Sequence, residues 1–357
     1  MLEFLFMSSH LQNKVIVTGG AGFIGSHICK TLHKEGYLPV SVDNLQQGHI
    51  SSVLWGPLEV GDIRDQAFLY AMMEKYQPIS VIHCAALAYV GESTIHPAKY
   101  YRTNVEGTLR LLEAIHHHQI GSIIFASSCA AYGNAQSSPI HENHPLSPIN
   151  PYGWSKFMGE QIIRDFADAY ELKYAILRYF NVAGADLESE IGENHDPETH
   201  LIPLAIDAAI TNKSLLVNGI KYETKDGTAV RDYIHVQDLA GAHVLALQYL
   251  QMDNPSITLN LGSGQGFSIL EILQKIESIT KKKVLYKIAA PRLGDPPLLV
   301  ADRHLANEVL AWNPRYSDLD TLITTAWDWY QKKQTLGEHH ESIATHSRLS
   351  SPLQCGI

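Results

Sequence analysis

The sequence predicts an α/β protein built on a doubly wound parallel sheet, with a smaller mixed α/β lobe beside it. Short β-branched runs alternate with amphipathic helical stretches from residue 14 onward. Each gap between runs is long enough for a crossover helix, and a glycine-rich turn joins the first strand to the first helix. Alternation at this spacing gives parallel strands with helices on both faces.

Taken in order, VIVT (15–18), LPVSV (38–42), ISVIHCA (79–85), SIIFAS (122–127) and YAILRYF (174–180) read as strands. Helical patterns fall near 23–36, 65–76, 97–118 and 152–170. Past residue 181 the pattern loosens around GADLESEIGENHDPETH, as expected of a smaller lobe. VRDYIHV (230–236) and the helix DLAGAHVLALQYL (238–250) read as a return to the main sheet. The expected division is a dinucleotide-binding domain over 12–180 with the return at about 228–255, a substrate lobe over 181–227 and 256–333, and a polar flexible tail over 334–357.

The chain has 357 residues, 45% of them apolar, so it can bury a large core. Its 27 Lys and Arg against 37 Asp and Glu give a formal charge of −10, which argues against nucleic-acid partners and a polybasic membrane patch. No apolar run approaches the roughly 20 residues of a membrane span. MLEFLFM carries Glu3 and lacks a basic region and a cleavage site, so it does not read as a signal peptide, and Met7 is an alternative start. Cys29, Cys84, Cys129 and Cys355 are scattered without metal or redox spacing, which suits reduced thiols in a cytoplasmic protein. No metal is expected. His116, His117 and His118 fan out about 100° apart on a helix, and His195 and His200 lack the spacing of a known site.

TGGAGFIG (18–25) places Gly19, Gly22 and Gly25 where a chain must turn tightly and let backbone N–H groups approach a pyrophosphate. The anion would sit at the positive end of the helix starting near Phe23. Asp43 ends the next strand 18 residues beyond Gly25, where a carboxylate accepts bonds from an adenosine ribose and repels the 2′-phosphate of NADP. Asp62 in GDIRD (61–65) has two readings, adenine recognition and capping of the next helix.

PYGWSK (151–156) puts Tyr152 and Lys156 one helical turn apart behind a helix-starting proline. It reads either as a plain helix entry or as a general base whose phenol is acidified by an ammonium.

These motifs, with DNL (43–45), HCAALAYVGES (83–93), SSCAAYG (127–133), RYFNVAGA (178–185) and VRDYIHV, resemble the extended short-chain dehydrogenase/reductases, and among them the nucleotide-sugar epimerases. The resemblance runs in order from about residue 13 to 330. It implies a Rossmann-type domain, NAD as cofactor, a UDP-sugar substrate, and interconversion of UDP-glucose and UDP-galactose through a 4-keto sugar. It assigns Tyr152, Lys156 and Ser128 to catalysis, with Ser127 facing away. Gly19, Gly22, Phe23, Ile24, Gly25, Asp43, Asn44, Asp62, Ile63, Ala85, Tyr152, Lys156 and Tyr179 fall to the cofactor. Asn104, in YYRTNVEGT, is similar to a cofactor-side asparagine, with helix packing as its other reading. Ser128, Asn181, Leu201, Arg231, Arg292, Asp295 and Leu299 fall to the substrate.

In the resembling enzymes the position matching Leu299 lies beside the sugar's C2 substituent, and a bulky aromatic there excludes N-acetyl groups. Leucine predicts that UDP-N-acetylhexosamines are accepted as well. Two departures stand out: Ala88, where some members carry lysine, and Cys84, where several carry phenylalanine. Two other functions are disfavoured. A 4,6-dehydratase needs carboxylates in the segment that here reads Ser128-Cys129-Ala130-Ala131, and a non-catalytic NAD-binding scaffold would commonly lack the tyrosine or lysine. The resemblance further implies a homodimer, joined through the helices at about 97–118 and 152–170.

Overall fold

The computed structural model describes residues 13–291 and 296–349. Seven parallel strands form the main sheet: β1 (Lys14–Thr18), β2 (Leu38–Asp43), β3 (Leu58–Val60), β4 (Ser80–His83), β5 (Ser122–Ser128), β6 (Lys173–Tyr179) and Ile257–Leu261. With β7 (Asn181–Ala183), β8 (Leu215–Asn218) and β9 (Val230–His235) intervening, Ile257–Leu261 is β10, and the order is β10-β6-β5-β4-β1-β2-β3. Strand order reverses between β1 and β4, and such a switch point opens a crevice at the carboxyl ends of the strands.

Helices cover both faces, so the central strands read as continuous apolar runs rather than alternating ones. On one face Ile28 and Leu32 of α1 (Phe23–Lys34) pack on Val15, Val17 and Ile82. On the other, Leu69 and Met72 of α2 (Gln66–Tyr76), Leu111 and Ile115 of α3 (Gly107–His117) and Ile163 of α4 (Pro151–Tyr170) cover Ile16, Val81 and Phe125. A third cluster joins Ile202 and Ile206 of α5 (Leu201–Thr211) to Val217 and Ile272 outside the main sheet.

Several expectations needed revision. VRDYIHV forms β9, but that strand does not return to the main sheet. It pairs with β7, with β11 (Gly266–Ser268), and, after β12 (Tyr286–Ala289), with β13 (Leu298–Leu299). Its helix, α6 (Val236–Gln251), packs back on the sheet through Leu239, Val244 and Leu247, and Ile234 of β9 joins the same cluster. The seventh strand comes instead from ITLNL, placed in the lobe by the sequence reading; Leu259 and Leu261 are fully buried there. The helix expected over 97–118 is three segments, Pro97–Tyr100, a π-helical turn Tyr101–Glu106, and α3. From 334 the expected tail continues a helix, Leu319–Leu349, since no proline interrupts a stretch of ordinary helix formers. Residues 1–12, which hold the Met1 and Met7 starts, lie outside the described residues, as does Cys355.

The site helix α4 is fixed at its N-terminus and at its middle. Asn150 caps it, its side-chain oxygen accepting from the Gly153 N–H at 2.8 Å, and Pro151 occupies the first helical position, where its missing N–H costs nothing. Further along, Glu160 receives a bidentate pair from Arg178 of β6, Nε at 2.8 Å and Nη2 at 2.6 Å, and a bond from Ser127 Oγ at 2.6 Å. Arg178 and Glu160 are almost wholly buried. Removing Arg178 leaves the Glu160 carboxylate with Ser127 and a longer contact to Arg164 Nη2 at 3.7 Å. Arg178→Met should therefore lower the unfolding free energy by about 3–5 kcal/mol, read by urea denaturation. A loss under about 1 kcal/mol would show that the pair does not hold α4 to the sheet.

Candidate active site

A cavity of about 1410 Å³ opens at the switch point, beyond the ends of β1, β2, β4 and β5. Single-ligand pockets seldom exceed about 1,000 Å³, so this volume suits a dinucleotide plus a second nucleotide. Gly19, Gly22, Phe23, Ile24, Gly25, Asp43, Asn44, Asp62, Ile63, Ala85, Ser128, Tyr152, Tyr179, Asn181, Leu201, Arg231 and Leu299 all line it. Arg292 and Asp295 lie outside the described residues.

The turn leaves no room for a side chain at Gly19 or Gly25. Gly19 has φ +73°, and a Cβ on Gly25 would lie 2.1 Å from the Gly19 carbonyl oxygen. The Gly22 N–H donates to that oxygen at 3.1 Å, and α1 then starts at Phe23 with its N-terminus toward the cavity. Asp43 is 8% exposed; its carboxylate accepts from Ala21 N at 3.1 Å and Leu45 N at 2.9 Å. Burial pushes the carboxyl up, and those two N–H bonds pull it back. A turn stripped of Cβ atoms, a helix N-terminus and an acidic strand end are the parts an adenine dinucleotide requires, and the residues present fit one.

Asp62 takes a bidentate pair from Arg64, at 2.8 and 2.7 Å, and a bond from Asn44 Nδ2 at 3.1 Å. The arginine holds its carboxyl well below the usual range. Asp62 does not cap α2; Asp65 does, accepting from the Phe68 N–H at 3.1 Å. The capping alternative thus belongs to the second aspartate of GDIRD.

Tyr152 is half-buried, and crowding around its hydroxyl pushes the phenol up to about 12, against a smaller lowering by a hydrogen bond with Ser128. Ser128 Oγ also accepts from the Ala130 N–H at 3.1 Å. Ser127 turns the other way, onto Glu160, as the resemblance implied. Lys156 is 5% exposed; its ammonium donates to the Ala126 carbonyl at 2.8 Å and lies 5.3 Å over the Phe125 ring. Burial lowers it to about 8, so it stays cationic at neutral pH. Its place is beneath the cavity wall rather than on it.

Asn104 is likewise off the cavity. Its amide accepts from Leu87 N at 2.8 Å and donates to Leu87 O at 3.0 Å and Ser155 Oγ at 2.9 Å, which leaves no donor for a ligand. The geometry matches the helix-packing reading: Asn104 ties the π-helical turn to α4, three residues past Tyr152. Cys84 lines the cavity, and burial raises its thiol to about 12, which keeps it protonated.

Some residues here were passed over in the sequence. Thr18 and His83 Nδ1 stand 2.7 Å apart, and His83 Nε2 lies 3.0 Å from Thr108, one buried chain behind the glycine turn. Glu193, His195 and His200 line the cavity and cluster with Glu198. Of these, His195 and His200 were weighed in the sequence and set aside as metal ligands for lack of a known spacing, while Glu193 and Glu198, two residues to the N-terminal side of each, gave no signal.

The geometry defines a dinucleotide-binding site in a cavity with volume to spare for a second ligand. The chain belongs to the NAD dependent epimerase/dehydratase family, whose sequence profile matches residues 15–262. A UDP-glucose 4-epimerase of Rhizobium leguminosarum bv. trifolii is 49% identical over 319 residues, 89% of this chain and 97% of the relative. The crystal structure of UDP-glucose 4-epimerase from Brucella ovis in complex with NAD is 54% identical, with a TM-score of 0.87 over 88% of this chain and 98% of that one. The UDP-Glc/GlcNAc 4-epimerase of Campylobacter jejuni is 36% identical, with a TM-score of 0.79 over 90% and 99%.

Proposed function

We propose that this chain interconverts UDP-glucose and UDP-galactose, using NAD and a transient 4-keto sugar. The observation that carries the reading is that Tyr152 and Ser128 line one cavity with the glycine turn. The segment after Ser128 reads Cys129-Ala130-Ala131, without the carboxylate that water elimination would need.

NAD, when bound, supplies the reversible hydride acceptor and a positive ring at the site. The chain supplies proton transfer and orientation. Tyr152 takes the 4-hydroxyl proton directly or through Ser128, and must return it after the sugar has presented its other face. Lys156, cationic and fixed on Ala126, adds positive potential beneath the phenolate. Asn181, Arg231 and Arg292 hold the diphosphate, so the sugar alone turns over. Guanidinium groups suit that task because they donate parallel charge-assisted bonds. Asp43 selects NAD over NADP, since a 2′-phosphate would meet its carboxylate.

A homodimer is part of the same reading. Leu109 of α3 and Trp154 and Met158 of α4 are exposed large apolar side chains on the two helices expected to meet a second copy. A cytoplasmic location is the companion reading. No helix among the described residues is long and apolar enough to cross a membrane.

Tyr152→Phe should lower kcat for UDP-galactose turnover at least ~100-fold while sparing UDP-sugar affinity, because the ring still fills the wall. Turnover near that of the parent would remove Tyr152 as the base. Leu299 lines the cavity beside Arg231, its partner in the β9–β13 pairing, and leaves more room than tyrosine would. The chain should therefore epimerise UDP-N-acetylglucosamine too. Leu299→Tyr should suppress that activity ~10–100-fold and spare UDP-galactose, the range a pocket-shape change of about 1–3 kcal/mol gives. Equal effects on both substrates would exclude Leu299 as the gate.

A further inference from the structure

Residues 193–200, ENHDPETH, carry four ligating side chains within eight positions. One donor atom each from Glu193, His195, Glu198 and His200 lies within 4.8 Å of the other three. His195 Nδ1 stands 3.0 Å from Glu193 Oε1 and 3.9 Å from Glu198 Oε1. His200 Nδ1 contacts the same Glu193 oxygen and lies 3.7 Å from the same Glu198 oxygen. Both rings thus turn one nitrogen toward one pair of carboxylates.

The carboxylates are poorly placed for water, with side-chain exposures of 6% for Glu193 and 20% for Glu198. Among the described residues no lysine or arginine forms an ion pair with either of them. The two imidazoles face this carboxylate pair as hydrogen-bond partners, and a divalent cation bound between the four groups would replace the protons that bridge them. Tetrahedral zinc with N and O ligands at about 2.0–2.2 Å sets neighbouring donors about 3.3–3.6 Å apart. Three separations, 3.0, 3.7 and 3.9 Å, lie around that spacing, and the fourth, His200 Nδ1 to Glu193 Oε1, is shorter and would open on metal binding. Imidazole with carboxylate is a donor set that suits zinc and related divalent ions rather than calcium or magnesium.

We propose that Glu193, His195, Glu198 and His200 form a binding site for one divalent transition metal, zinc by donor set. Four protein ligands close the coordination sphere, so the metal's role is structural. It fixes a loop that touches both halves of the cavity. The Glu193 carbonyl accepts from Trp329 Nε1 at 2.9 Å, and His49 Nε2 lies 2.6 Å from the Asn194 carbonyl. The His195 ring packs edge-on against Phe23 at the cofactor turn, while His200 immediately precedes Leu201 of α5.

The test uses tag-free, NAD-loaded full-length protein, dialysed against a chelator and titrated with zinc chloride by calorimetry. The expected result is one zinc per chain, with a raised Tm in zinc. His195→Ala combined with Glu198→Gln should weaken binding by more than ~100-fold, beyond the 10–100-fold that loss of an outer partner costs. NAD retention and circular dichroism establish that the double variant folds. X-ray absorption of the zinc-loaded parent, which needs no variant, should show four N/O ligands including two imidazoles. Absence of stoichiometric zinc, unchanged affinity in the folded double variant, or sulfur ligation would overturn the site.

Discussion

A phenol packed among protein atoms resists losing its proton, and the chemistry of this site depends on overcoming that resistance at one position. Tyr152 stands near 12 in the protein's own field, with burial as the largest cause. Reaching neutrality means stabilising the phenolate by about five pH units, on the order of 7 kcal/mol. The Lys156 ammonium donates to the Ala126 carbonyl, and no bond from it to the phenol is present among the described residues. It acts as a fixed positive charge below the wall, and an oxidised nicotinamide, when bound, would supply further positive potential. Proton abstraction is thereby tied to a cofactor in the state able to accept hydride.

That arrangement asks the scaffold for placement. β5 ends at Ser128, α4 begins at Pro151, and the Arg178–Glu160–Ser127 network clamps strand and helix together one turn past Lys156. Asn104 adds a second tie from the π-helical turn to Ser155. These groups meet no ligand, yet they set the distance between the phenol and its serine. The glycine turn across the switch point fixes the cofactor from the other side.

Much of this was legible in the sequence, for identifiable reasons. Strands buried on both faces are written as unbroken apolar runs, and a turn that tolerates no Cβ is written in glycine, so the sheet's centre and the cofactor turn could be read directly. The edges were harder. β3 is three residues, none fully buried, and gave no run to see. β9 and β10 both look like short strands, and only the tertiary pairing decides which of them joins the main sheet. Asp62 and Asp65 are equivalent in a string, but only the second reaches the Phe68 N–H. The cluster at 193–200 depends on how an aperiodic loop folds, which no periodicity encodes.

The dependence of Tyr152 on cofactor charge can be measured directly by ultraviolet difference titration, subtracting Tyr152→Phe from the parent so that only this phenol is read. With oxidised NAD bound, the phenolate band should appear near pH 7. With the cofactor reduced, the same band should move upward by several units, toward the value of about 12 that the protein alone imposes. A single midpoint, unchanged between the two cofactor states, would contradict the account.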